Sequence, residues 1–314
     1  MRDAFFSALT EAAERDERIW ALTGDLGVGL FDEFERVAPG RFLNVGIAEQ
    51  ALVGVAAGLA YAGRRSVAYS IAPFLTARAH EQVRVDVAMA RAPVLLAGVG
   101  GGVAYGYLGP THHATEDLAV MRALPQMTVL APGDPGETAR ATLAALEHDG
   151  PVYLRLGKNG EPELLDDDGP FRIGRASTLR DGEDVTLVST GAILAHVLKA
   201  AALLAADGIH ATVLHCPSLV PFDAPALLRA AGRTGIVVTV EEHVITGGLG
   251  SAVAETLAEA GAVARLIRLG ISGGFADAVG SQADLLAGHG LDAAGIARRA
   301  RAACRPLSAL GRVA

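Results

Sequence analysis

The sequence predicts an α/β protein built from two doubly wound domains, each with a mostly parallel sheet and helices on both faces. Three observations carry this. Short apolar runs alternate with helical stretches from Asp3 onward, the pattern of strands buried on both sides. A Gly-, Pro- and acid-rich stretch over 157–174 interrupts the alternation before it restarts. The chain has 314 residues, more than one typical core accommodates. In the first half the strands are expected at 19–23, 42–45, 66–70, 94–99, 127–130 and 152–156, with helices at 49–61, 74–89 and 135–147. The last helix has a defined start: Asp134 caps it, Pro135 suits the first helical position, and Glu137 is placed to complete a capping box. The run Asp166-Asp167-Asp168 reads as linker, giving domains 1–165 and 176–314 joined by 166–175. In the second domain strands are expected at 184–190, 210–215, 235–240 and 264–269, and helices at 193–206 and 250–260.

Composition narrows the function classes. Hydrophobic residues are 51% and charged residues 20%, as in a folded globular chain. A net charge of -8 argues against a nucleic-acid partner, which demands clustered Lys and Arg. Cys216 and Cys304 are too few for a disulfide framework or a four-thiolate zinc site, and fit a reducing cytoplasm. The first residues turn acidic before an apolar signal region could form. The uncharged window 92–111 contains Gly98, Gly100, Gly101, Gly102, Gly106 and Gly109, a poor membrane helix and a good strand feeding a loop. A cytoplasmic protein without a membrane partner is the expectation.

In open α/β sheets ligands bind at the carboxyl ends of strands. After the first strand stands Thr23-Gly24-Asp25-Leu26-Gly27; after the second, Asn44-Val45-Gly46-Ile47-Ala48-Glu49-Gln50; after the fourth, Gly109-Pro110-Thr111-His112-His113. Taken alone, Glu49 in a helix's first turn reads as a dipole-stabilising acid as readily as a catalytic one. Adjacent histidines are compatible with a structural loop, and Phe74 with an ordinary core.

Together and in this order, these segments resemble the pyrimidine-binding and C-terminal domains of transketolases over almost the whole chain. Val45-Gly46-Ile47-Ala48-Glu49-Gln50 is similar to the catalytic-glutamate motif of that family, and Gly109-Pro110-Thr111-His112 to its active-site histidine loop. Ile71-Ala72-Pro73-Phe74-Leu75-Thr76-Ala77-Arg78 with Glu81-Gln82, and Val152-Tyr153-Leu154-Arg155-Leu156-Gly157-Lys158, resemble the C-terminal subunits of split transketolases; Glu241-Glu242-His243 and Gly247-Gly248-Leu249-Gly250-Ser251 fit as well.

The resemblance implies a thiamine diphosphate-dependent transferase that moves a two-carbon ketol-type unit from a ketose-like donor to an aldehyde. It makes Glu49 the acid that hydrogen-bonds the cofactor's pyrimidine ring, favouring the tautomer that removes the thiazolium proton. It places Ile47, Phe74 and Arg78 around that ring and His112 on substrate oxygens, with His113 assisting or packing. Arg2, Asp25, Leu108 and Arg155 are the candidate substrate contacts, Arg155 being equally readable as an ion pair. The Mg²⁺-binding Gly-Asp-Gly…Asn signature is missing, since Gly24-Asp25-Leu26 lacks the second glycine. The resemblance therefore implies that an N-terminal, diphosphate-binding subunit supplies the Mg²⁺ ligands, in an α2β2 heterotetramer. The β subunit of a 2-oxoacid dehydrogenase E1 component and a deoxyxylulose-phosphate-synthase-like enzyme share the domain order. Two departures bear on substrate: Leu108 stands where transketolases usually carry Asp, and Gly100-Gly101-Gly102 where they carry a His.

Overall fold

The computed structural model describes residues 1–166, 169–271, 274–275 and 279–305. Asp167 and Asp168 of the acidic run lie outside them. The first half runs α1 (Arg2–Arg15), β1 (Ile19–Thr23), α2 (Asp32–Val37), β2 (Phe42–Asn44), α3 (Glu49–Tyr61), β3 (Arg65–Ile71), α4 (His80–Gln82), β4 (Val94–Val99), α5 (Asp117–Arg122), β5 (Thr128–Leu130), α6 (Pro135–Glu147) and β6 (Val152–Leu156). The second half runs β7 (Ser177–Arg180), β8 (Val185–Ser189), α7 (Leu194–Ala206), β9 (Ala211–His215), β10 (Ser218–Val220), α8 (Ala224–Thr234), β11 (Ile236–Val244), α9 (Leu249–Glu259), β12 (Arg265–Ile271), α10 (Gln282–Gly288) and α11 (Ala293–Ala303).

Two mostly parallel sheets result, ordered β10-β5-β6-β4-β3-β1-β2 and β12-β11-β8-β9-β7. Their strands are buried because helices cover both faces: every residue of β4, β6, β8 and β9 is buried. On one face of the first sheet, Leu52, Val53, Ala56 and Ala57 of α3 pack on Leu22, Ala68 and Leu96. On the other, Phe5 and Leu9 of α1 and Ala141 and Ala145 of α6 meet Ala21, Val67 and Leu154. Each large apolar side chain so buried contributes about 1.5–3 kcal/mol. The first sheet reverses its winding between β1 and β3, because β2 lies to one side of β1 and all later strands to the other. The loops after β1, β2 and β3 therefore open onto one crevice.

Three local features differ from the sequence expectation. The stretch expected as one helix over 74–89 is π-wound at Phe74–Arg78 and Val83–Met89, with only α4 between. Strand β10 leaves the second half of the chain and pairs antiparallel with β5, completing the first sheet. Asp134 caps α6 by accepting from Glu137 N at 2.7 Å, but Glu137 does not close the box; its carboxylate accepts from Gly133 N at 2.7 Å and pairs with His215 Nε2 at 2.9 Å. No helix among the described residues is long and apolar enough to cross a membrane.

Candidate active site

Glu49 opens α3, and its side chain is buried, 2% exposed. Ser70 Oγ, near the end of β3, donates to Oε1 at 3.3 Å, and a Cβ at Gly24, just after β1, would stand 3.8 Å from the same oxygen. The carboxylate thus lies over the point where the sheet reverses. A buried charge needs a partner. Arg78 provides it, donating from Nη1 to Oε2 at 2.6 Å. The guanidinium carbon of Arg78 also sits 4.3 Å from the ring centroid of Phe74, which the widened π turn places on the same side of the segment. Phe74 in turn meets His112 edge-on, with centroids 5.1 Å apart. Glu49, Arg78, Phe74 and His112, drawn from three separate loops, form one continuous row.

The mouth of the crevice is fastened by a pair not singled out in the sequence. Asn44 Nδ2 donates to Asp25 Oδ1 at 3.0 Å, and Asn44 Oδ1 accepts from Asp25 N and Gly46 N, each at 3.0 Å. These bonds tie the loop after β1 to the one after β2 and hold out Ile47, which is 76% exposed. Leu108 is exposed in the 3₁₀ turn Gly106–Leu108. His112 Nδ1 is bonded to Thr111 Oγ1 at 3.0 Å. His113 is buried; burial pushes its imidazole below the ordinary value, against the opposing effect of a hydrogen bond to the Gly106 backbone. His80 turns back on its own segment, with Nδ1 3.1 Å from Thr76 O. Arg2 pairs with Asp3 at 3.2 Å, and no described contact joins it to the row.

Arg155 departs from its expected place on substrate. It is buried, 5% exposed, and its donors face inward. Nε reaches Asp117 Oδ2 at 2.9 Å, while Nη2 donates to Ala114 O at 2.9 Å and Glu242 O at 2.8 Å. Tyr153 donates to the same Asp117 oxygen at 2.6 Å. Asp117, fully buried, and Glu242 are the functional neighbours that sequence reasoning missed. Neither spacing nor composition marks them, because their partners lie tens of residues away.

Glu241, on β11, caps α9 by accepting from Leu249 N at 2.7 Å and Gly250 N at 2.8 Å. Burial pushes its carboxyl up to about 7, against those bonds and the charges of Arg155 and Arg268. A folded-state value above the unfolded one near 4.5 means stability that is present below pH 4.5 and lost as pH rises through about 7. His243, 3.7 Å away and lowered by burial, has the opposite sign: its contribution is present above 6.5 and lost as pH falls. Glu241→Gln is therefore expected to gain on the wild type by up to about 3 kcal/mol between pH 4.5 and 8. Urea unfolding of both chains at several pH values checks this; a difference independent of pH would contradict it.

Known proteins share this arrangement of domains. The family described as "Transketolase, pyrimidine binding domain" matches residues 1–161, and "Transketolase, C-terminal domain" matches residues 174–296. The chain belongs to the transketolase family. One of the two subunits of an apulose-4-phosphate transketolase from Phocaeicola vulgatus is 39% identical to this transketolase chain, over 95% of it and 96% of the relative. The 6-deoxy-6-sulfo-D-fructose transketolase subunit of a Clostridium species is 42% identical over 82% of this chain and 81% of its own length. The 1-deoxy-D-xylulose-5-phosphate synthase of Syntrophotalea carbinolica is 44% identical over 95% of this chain, which spans only 47% of that enzyme. Among solved structures, a split-gene transketolase described as an inactive β4 tetramer is 39% identical, with a TM-score of 0.90 over 96% of this chain and 97% of the other.

Transketolase-family enzymes are thiamine diphosphate-dependent transferases. The residues in the crevice fit the pyrimidine end of that cofactor. Glu49 Oε1 accepts only the long Ser70 bond and has a lone pair left; Phe74 is half-buried, and Ile47 presents an apolar side chain at the mouth. Among the described residues no three His, Cys, Asp or Glu side chains gather closely enough to hold a metal ion.

Proposed function

We propose that this chain is the pyrimidine-binding subunit of a two-subunit transketolase, moving a two-carbon ketol-type unit from a ketose-like donor to an aldehyde. The row Glu49–Arg78–Phe74–His112 at the sheet's reversal point carries the reading. Bound thiamine diphosphate supplies a nucleophilic thiazolium carbon. The chain's own residues do the rest. Glu49 holds a proton against the pyrimidine nitrogen, Phe74 and Ile47 pack on that ring, and Arg78 balances the buried carboxylate. His112 donates to substrate oxygens as charge develops on them, with His113 backing the loop.

The diphosphate and its Mg²⁺ are assigned to a partner, with two copies of each chain in the active assembly. Three observations support this: Leu26 in place of the second signature glycine, relatives named as subunits, and a split-gene relative described as inactive when it forms a β4 tetramer. Val28, Ile47, Tyr107 and Leu108, on loops beside the crevice, are exposed apolar residues of the kind a partner covers. A cytoplasmic location accompanies this reading.

The test is mass spectrometry of products from the reconstituted complex given ketose donors and aldehydes. Two-carbon transfer is expected; carbon dioxide release from a 2-oxoacid would favour the synthase-like or dehydrogenase-like reading instead. Exposed Leu108, with Asp25 engaged by Asn44, leaves fewer polar contacts for sugar hydroxyls. Xylulose 5-phosphate and ribose 5-phosphate are expected to be used with kcat/KM about tenfold below that of a less hydroxylated pair, the worth of one hydrogen bond. Equal efficiencies would contradict a specialised substrate.

A further inference from the structure

The loop carrying His112 and His113 is closed at its base by a two-residue bridge, Gly102 N to Ala114 O at 3.0 Å and Ala114 N to Gly102 O at 2.8 Å. Both arms of that base are held by the C-terminal domain. Glu242, on β11, accepts from Val103 N at 2.8 Å, and Gln282 at the start of α10 fixes the carboxylate through bonds of 2.9 and 3.0 Å. On the opposite arm Val244 N donates to Thr115 O at 2.8 Å. Arg155 joins the two, since one nitrogen serves both Ala114 O and Glu242 O. Farther along, a Cβ on Gly106 would lie 2.4 Å from Gly280 O and 2.9 Å from Leu285 Cδ1, so α10 and the residues before it press directly on the loop.

The glycine run at 100–102 records the same closeness. A Cβ at Gly101 would stand 2.4 Å from Arg155 Nε, and one at Gly102 would stand 2.3 Å from Glu242 Cγ. Gly102 also has φ +63°, which side chains rarely adopt. Sequence reasoning took this run as a lost substrate contact; packing gives it a separate cause. The glycines let a charged side chain from each side meet the loop's backbone.

We propose that the C-terminal domain acts in the reaction as a clamp on the histidine loop, with Glu242 as its positioning residue. The clamp rests on the reading that His112 touches substrate. Glu242 itself does not touch substrate; it fixes Val103, hence the bridge, hence the orientation of His112. Burial raises its carboxyl above the ordinary range, against the effects of Arg155, Gln282 and Val103. A loop freed at one arm misplaces its histidine, and displacements of about 1 Å cost on the order of 100-fold in rate.

The test uses the full chain assembled with its diphosphate-binding subunit. Glu242→Ala is expected to speed hydrogen–deuterium exchange across 102–114 while α9 keeps its protection. Its kcat should fall about 10- to 100-fold, with exchange of the cofactor's thiazolium C2 proton unchanged. Glu242→Gln, which retains an acceptor for Val103 N, should restore most of both. Unaltered exchange at 102–114 in a folded Glu242→Ala complex would overturn the clamp. Should that variant fail to fold, Gln282→Ala reads the same amides, with faster exchange expected and unchanged exchange again overturning the proposal. His112→Ala separates the two ideas: if it retains full turnover, the role given to His112 fails, while the exchange data still decide whether the domain clamps the loop.

Discussion

Replacing Glu49 by alanine, in the complex with the diphosphate-binding subunit, is expected to slow exchange of the cofactor's thiazolium C2 proton by about 10²–10⁴-fold. The carboxyl group is buried and placed over the sheet's reversal point, and the row described above offers no second acid to take over. Folding should survive. Arg78, 44% exposed, returns to water when its partner is removed, and Ser70 loses only a long bond of 3.3 Å. Glu49→Gln keeps the packing and removes the exchangeable carboxyl proton, so it should fall in the same range. Wild-type exchange in either variant would remove Glu49 from the chemistry.

Arg155→Met is expected to be the most destabilising single change, by about 3–5 kcal/mol. Removing one member of a buried pair leaves the other charged and unpaired. Here the orphan is Asp117, fully buried, with Oδ1 already lacking a hydrogen-bond partner among the described residues. Tyr153 OH would remain its sole donor. Arg155→Met combined with Asp117→Asn should recover part of the loss, since no buried charge is then left over. Urea midpoints of the three chains decide it. A loss below about 1 kcal/mol for the single change would show the pair to be weakly coupled to folding.

The strand pattern was readable because buried parallel strands are nearly continuous apolar runs: β1, β4 and β6 fall where Ile19–Thr23, Val94–Val99 and Val152–Leu156 stand out between polar loops. β7 and β10 were missed. One alternates and is half exposed at an edge, the other has three residues, and neither has enough apolar pattern to compete with a loop reading. The crossing of β10 into the first sheet is a tertiary event with no local signal. The row at the site was legible as motifs, yet the contacts within it depend on the π turn that brings Arg78 over Phe74, which residue spacing does not encode. Arg155 was located correctly after a strand but assigned outward. Its inward partners, Asp117 and Glu242, come from α5 and β11, and only folding brings them together.

The central claim is that this chain holds one end of a shared cofactor site. Titration calorimetry with thiamine diphosphate and Mg²⁺ tests it most directly, on the chain alone and after addition of the diphosphate-binding subunit. The account predicts weak binding, with no turnover, for the chain alone and tight, Mg²⁺-dependent binding for the pair. Tight, Mg²⁺-dependent binding to this chain by itself would contradict it.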